Sequence, residues 1–445
     1  MNKNIISCIA ISALLTSCSY LPTWMGGRVD EKPKLVGERF SALPITGQAQ
    51  PDDSLKSSPV RLPAPAANAD WVQPTSLFTA ATGNLAGGEF NSKTSATAGD
   101  GNDFESSLIA TPIVAGGVVY AMDASGIISA HDASNVASVR WKATDIADTH
   151  GHDVFGGGLS FDAGVVYAVA GHGKVAAFDA ASGKLLWAKD FTTPMRAAPR
   201  ISGDRLIVVT MDSQTYALSA KTGDILWDHR GINETAGVMN NVSPTIVGGS
   251  VIVPYASGEL FALNLADGSP QWSDTLLQSK GGAQGSGAFT GIGGDPIIDG
   301  NIAIATSTNG VTAAINMATG QRVWQQAIAS MNTPWLAGDE LFLLTADNVL
   351  VDMVKYSGKI RWATQLESFI DKERKLKPIS WKGAVLVADK LLLTNSQGEI
   401  VFVSAADGKI VKTMDSPSKI TSAPVVAGGR LYLVGSDATL YCLYP

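Results

Sequence analysis

Cysteine is almost missing from this chain: Cys8, Cys18 and Cys442 are the only three in 445 residues. Two of them fall in the first 18 positions, so Cys442 alone remains for the folded body. No disulfide framework can staple such a body, and a packed core must hold it. Cys442 sits in the apolar run Leu440-Tyr441-Cys442-Leu443 and reads as a small buried hydrophobe rather than a nucleophile. Charge is also sparse, at 16% of residues and a net −7, with no basic stripe. That excludes nucleic acid as an expected partner. Long hydrophobic runs are lacking too: Ile5 to Leu15 spans eleven residues, well short of the roughly 20 needed to cross a bilayer. Beyond that run no helical period appears.

Glycine, proline and tryptophan are present, and at fixed spacing. A glycine stands four residues before each of Trp187, Trp227, Trp272, Trp324 and Trp362, namely Gly183, Gly223, Gly268, Gly320 and Gly358. A proline stands 28 residues before each of the last four, namely Pro199, Pro244, Pro296 and Pro334. A unit with fixed internal length marks a repeat architecture. Within the second unit, Gly158–Asp162, Val165–Val169, Val175–Phe178 and Leu185–Trp187 are short β-branched and aromatic runs. Gly- and Asp-bearing turns separate them, which is the hairpin signal. Four strands per unit is one blade of a β-propeller.

The end-of-blade position falls at Trp141, Trp187, Trp227, Trp272, Trp324 and Trp362, with Lys412 in the same slot after Gly408. An eighth unit starts at Pro424 and stops at Pro445, one strand short. The expected fold is therefore an all-β, eight-bladed propeller of four antiparallel strands per blade, with an N-terminal strand completing the last blade. An open ring would leave an exposed edge. Asp70-Trp71-Val72 is the expected closing strand, since Trp71 stands alone upstream of the first blade. The repeat tryptophans are expected to be structural, each burying on the order of 200 Å² against a neighbouring blade's glycine turn, with its N–H bonded to backbone.

The N-terminus reads separately. Lys3 and the short apolar run form a secretory leader over residues 1–17, ending in Leu15-Thr16-Ser17-Cys18. That ending resembles the lipobox of bacterial lipoproteins, in which the cysteine becomes the first mature residue and carries acyl chains, palmitate among them. Ser19 follows, rather than the aspartate of an inner-membrane retention signal, so an outer-membrane address is expected. Residues 18–69 carry Pro22, Pro33, Pro44, Pro51, Pro59, Pro63 and Pro65 among small and polar residues, and read as a disordered or extended tether. The propeller is expected over residues 70–445.

The blade segment Ala177-Phe178-Asp179-Ala180-Ala181-Ser182-Gly183-Lys184-Leu185-Leu186-Trp187 resembles the repeat of pyrroloquinoline-quinone (PQQ) enzymes and their non-enzymatic relatives. With the lipobox, the proline-rich tether and eight blades, the chain resembles the BamB-type family of outer-membrane assembly lipoproteins. The resemblance implies a scaffold without enzymatic activity or cofactor, lipid-anchored at the outer membrane and facing the periplasm. It implies binding to the POTRA domains of BamA within the Bam complex, with unfolded outer-membrane proteins as further clients. The family's contact loops map onto Val238, Met239 and Asn240, before Pro244, and onto Gly291, Ile292 and Gly293, before Pro296. The family's leucine-arginine pair is Val238-Met239 here, and its two aspartates are Gly291 and Gly293. Connections after Trp141, Trp227, Trp272 and Trp362 are long, and insertions gathered on one face mark a binding face.

Two other readings stay open. A quinoprotein dehydrogenase shares the repeat, but it needs a Ca²⁺ site, a catalytic aspartate and usually an adjacent-cysteine pair, and this chain has no such pair. A lipoprotein propeller could instead bind cell-wall polymer or another envelope protein. His150-Gly151-His152-Asp153 could offer imidazoles to a metal, although spacing suggests no third ligand. No metal site is expected.

Overall fold

The computed structural model describes residues 49–445, apart from 56–57, 74–82, 100–105, 108–109, 149–153, 234–241, 278–290, 417 and 421. Eight four-stranded antiparallel sheets follow one another along the chain. Blades 1 to 7 occupy residues 113–143, 157–190, 200–230, 245–275, 297–326, 335–365 and 381–415 in turn. In each, the first three strands are largely buried and the fourth alternates toward solvent, as in Leu185–Asp190. The first strand therefore faces the axis and the fourth the circumference. Among the described residues no helix is long and apolar enough to cross a membrane.

Blade 8 is the composite one. Val425–Ala427, Arg430–Val434 and Thr439–Tyr444 supply three strands, and Ser92–Thr97 pairs antiparallel with the last, Ser92 opposite Tyr444 and Thr97 opposite Thr439. An N-terminal strand does complete the ring, but it is Ser92–Thr97 and not the segment around Trp71. The outermost strand needs backbone donors and acceptors more than apolar side chains, so Ser-Lys-Thr-Ser-Ala-Thr can serve. Cys442 is free and buried in this blade.

The tryptophan repeat is an interblade latch. The indole nitrogens of Trp141, Trp187, Trp227, Trp272, Trp324 and Trp362 donate to the carbonyls of Ala180, Ala220, Leu265, Met317, Lys355 and Ala405, at 2.6–3.0 Å. Each carbonyl belongs to the next blade, three residues before that blade's turn glycine. The ring plane lies against the glycine, so a Cβ on Gly223 would sit 2.6 Å from the Trp187 ring. These glycines also hold positive φ, +75° at Gly223, a conformation that glycine adopts without penalty. Blade 8 has no tryptophan in its outer strand; there the Tyr432 hydroxyl donates to Ala133 of blade 1 at 2.8 Å.

Trp71 lies at the hub, where it forms an antiparallel bridge with Val114 on the innermost strand of blade 1. Its neighbours continue round the axis. Phe161 N–H of blade 2 donates to the Val72 carbonyl, the Gln73 amide to Ile201 of blade 3, Gly83 N–H to Leu336 of blade 6 and Leu85 N–H to Leu386 of blade 7. The Asn68 amide donates to Val426 of blade 8 at 2.6 Å. All six partners occupy the same level, two residues before the positive-φ turn that ends the inner strand, such as Gly116 or Gly203. An innermost strand presents an unpaired backbone edge to the axis, and buried backbone groups need partners. Residues 66–73 and 83–86 supply them, with Trp71 stacked on Trp335 at 6.1 Å.

The last residues assigned to the tether also hold structure. Asp52 N–H donates to the Ile360 carbonyl on the outer edge of blade 6, and Asp52 pairs with Lys359 at 3.1 Å. Arg361 donates to the Ser58 carbonyl at 2.7 Å, and Arg61 N–H to Glu340 at 3.2 Å. Residues 52–55 and 58–61 thus lie as a strap over blade 6, which corrects the expectation of a disordered tether for these residues. Beneath it Arg361 faces two buried carboxylates, Glu340 at 3.1 Å and Asp352 at 3.4 Å. Burial, reinforced by the nearby Glu340 charge, pushes Asp352 up to about 8, so Asp352 holds a proton at neutral pH.

Candidate partner-binding rim

Strand direction divides the propeller into two rims. Innermost strands start at one, here the entry rim, which also carries the turns between second and third strands. The exit rim carries the hairpin turns and the glycine–tryptophan latches. Of the six family-matched contact positions, Gly291, Ile292 and Gly293 fall on a connection of the entry rim. Val238, Met239 and Asn240 lie outside the described residues, as do His150 and His152.

Gly291, Ile292 and Gly293 are described, and they are buried. Ile292 is 4% exposed, bridges Ser307 and packs among Ile252, Leu260 and Ile298. Gly293 N–H donates to Thr306 at 2.7 Å, and Thr308 N–H to Gly291 at 2.9 Å. Gly293 also lies so close to the Ser330 carbonyl that no Cβ fits. This segment forms the floor of the rim rather than an exposed contact, which corrects the expectation for these three residues. Glycine at the family's aspartate positions follows from that packing.

A polar staple that the sequence reading missed supports the floor. Arg200, on the innermost strand of blade 3, pairs with Asp295 at the entrance of blade 5 at 2.6 Å, both side chains buried. Arg200 also donates to the Pro244 carbonyl at the entrance of blade 4, and Ser243 N–H donates to Asp295. Asp295 N–H reaches Thr333 at the entrance of blade 6. One ion pair therefore ties together the entrances of four adjacent blades. The signal available was an arginine and an aspartate in otherwise apolar entrance positions, Pro199-Arg200-Ile201 and Asp295-Pro296.

Exposed apolar side chains reveal which part of the rim is unusual. Met211, Ile232, Leu277, Met331, Ile370 and Leu376 are each at least 40% exposed and lie on the entry rim between blades 3 and 7. Among the described residues the other large exposed apolar side chains lie on outermost strands, except Tyr356 on the exit rim. Ile232 and Leu277 lie within two residues of 234–241 and 278–290, which are outside the described residues. Ile370 and Leu376 lie on a hairpin, Phe369–Asp371 paired with Leu376–Pro378, inserted after Trp362. Exposed apolar residues gathered on one face mark interaction surfaces.

Between blades 6 and 7 the same rim holds a cleft of about 350 Å³. The Trp381 indole donates to Glu367 at 2.7 Å and the Asn348 amide to Ile379 at 3.2 Å, fixing its walls. Among the described residues no group of three or more His, Cys, Asp or Glu side chains could hold a metal ion.

A family model described as outer membrane protein assembly factor BamB matches residues 138–364 and 365–443. BamB of Salmonella typhimurium is 24% identical over 150 residues, 33% of this chain and 36% of that relative, so the match spans about a third of the relative's length. The crystal structure of BamB from Moraxella catarrhalis superposes with a TM-score of 0.66 at 19% identity, over 79% of this chain and 100% of that one. A quinohemoprotein alcohol dehydrogenase from Comamonas testosteroni superposes at 0.64 with 13% identity, over 85% and 80%. At such identities the likeness is one of fold.

Proposed function

Because this chain belongs to the family of the outer membrane protein assembly factor BamB, we propose that it is a non-enzymatic scaffold of the β-barrel assembly (Bam) complex. In this reading a lipid on Cys18 holds it to the outer membrane, facing the periplasm, after residues 1–17 are removed. Its entry rim docks a POTRA domain of BamA and so assists insertion of outer-membrane proteins. The observation that carries the reading is the one-sided concentration of exposed apolar side chains on the arc from blade 3 to blade 7, flanking both family-matched loops. The Arg200–Asp295 staple keeps the base of that arc rigid, and a rigid base limits the entropy lost on docking. The quinoprotein alternative rests on likeness of fold alone.

The test uses exposed positions, because aspartate at Ile292 would disrupt the core. Leu277→Asp with Met331→Asp should lower BamA co-purification about tenfold or more, since apolar interface anchors commonly contribute about 2 kcal/mol each. Tyr356→Asp on the exit rim should leave it unchanged. Full co-purification by a well-folded rim double variant would refute this docking face.

A further inference from the structure

The cleft between blades 6 and 7 is lined by a cation that no described carboxylate balances. Lys382 lines it, together with Met331 and Asn332 at the entrance of blade 6, Asn348 in a blade 6 turn, and Phe369 and Ile379 ahead of blade 7. Lys382 is partly buried and has no hydrogen-bond or ion-pair partner among the described residues. Desolvation lowers its pKa, with no carboxylate acting against that. Asp347, the one acidic residue lining the cleft, is solvent-exposed at the mouth and not paired with it. Even partial desolvation of an unpaired ammonium is costly. Lys355, on the exit rim of blade 6, shows the usual remedy, since it bonds Asp299 at 2.5 Å.

We propose that this cleft binds an acidic peptide segment, seating one carboxylate on Lys382 and its apolar neighbours on Met331, Phe369 and Ile379. The charge count selects the ligand. One lysine without an arginine or a helix N-terminus balances a single carboxylate, whereas phosphate usually meets several donors. Apolar walls on either side suit the side chains flanking an acidic residue in a chain and give nothing to a small free anion. The cleft volume matches two or three side chains. The proposal does not depend on the identity of the rim's docking partner.

The experiment titrates the full-length chain in detergent by NMR, with lysines marked by ¹³C reductive methylation, which retains their charge. The probes are acetyl-Leu-Asp-Leu-amide, acetyl-Leu-Asn-Leu-amide, sodium acetate and inorganic phosphate at equal ionic strength. The Lys382 signal, assigned by its loss in Lys382→Met, should shift saturably with the aspartyl peptide. The asparaginyl peptide should bind the unaltered chain about tenfold more weakly, and Lys382→Met should lose affinity for the aspartyl peptide by a similar factor. Equal binding of the two peptides, or undiminished binding by Lys382→Met, would overturn the proposal. So would acetate or phosphate saturating the site at the peptide's concentration, because the site would then select a bare anion. BamA co-purification enters none of these arms, so failure here leaves the scaffold reading untouched.

Discussion

Alanine at Gly223 should destabilise the ring far more than alanine at Gly203, although both glycines lie in turns of blade 3 with positive φ. The angles are +75° and +59°. The shared backbone penalty is about 1–2 kcal/mol for a residue bearing a Cβ. At Gly203 nothing lies within 4 Å of the new Cβ, whereas at Gly223 it would sit 2.6 Å from the Trp187 ring. Carbon atoms rest about 3.5–4.0 Å apart, so the indole must retreat by about 1 Å. Its N–H is bonded to the Ala220 carbonyl at 2.9 Å, and retreat breaks that bond. Overpacking adds about 1–3 kcal/mol and the lost bond about 1. Gly203→Ala should therefore lose about 1–2 kcal/mol and Gly223→Ala about 3–6. Urea midpoints with unchanged slope are the assay, because a domain this long shifts its melting temperature by only about 1 °C per kcal/mol. In the Trp187→Leu background the two glycine variants should become equivalent, a coupling that a double-mutant cycle reads directly. Equal losses in the native background would refute the latch.

Proline at Thr94 and Ala96 removes ladder donors from the strand that closes blade 8, so the pair should lower stability by about 3 kcal/mol or more; a negligible change would mean that Ser92–Thr97 does not close the ring. Asp352 titrates higher folded than unfolded, so its folded form holds a proton that the unfolded chain releases. Stability should therefore fall as pH rises from about 4 to about 8. Asp352→Asn should flatten that slope, and an unaltered pH profile would show that Asp352 does not hold a proton in the folded state. Cys18→Ser should release the protein from membranes while the propeller still folds; retention in outer-membrane fractions after a high-salt wash would refute lipid anchoring.

Blade number and blade order were legible in the sequence because the device that sets them is local. A glycine four residues before a tryptophan states its own requirement: positive φ at the turn, and no Cβ where the preceding blade's indole must lie. Each strand of a blade likewise carries its alternation within itself. The ring-closing strand was not legible. Ser92–Thr97 has no aromatic and little apolar character, since an outermost strand contributes backbone to the ladder and side chains to water. Trp71 looked like that strand because it carries the residue type of the outer strands. Only closure of the ring creates an axis of inward-facing backbone edges, and those edges draw Trp71 to the hub. The burial of Ile292 and the open cleft beside Lys382 have the same origin. Each depends on where connections from different blades meet, a distance fixed by the circle of eight sheets rather than by neighbours along the chain. Sequence periodicity determined the repeating unit; tertiary closure decided which groups face the axis, the floor of the rim and the solvent.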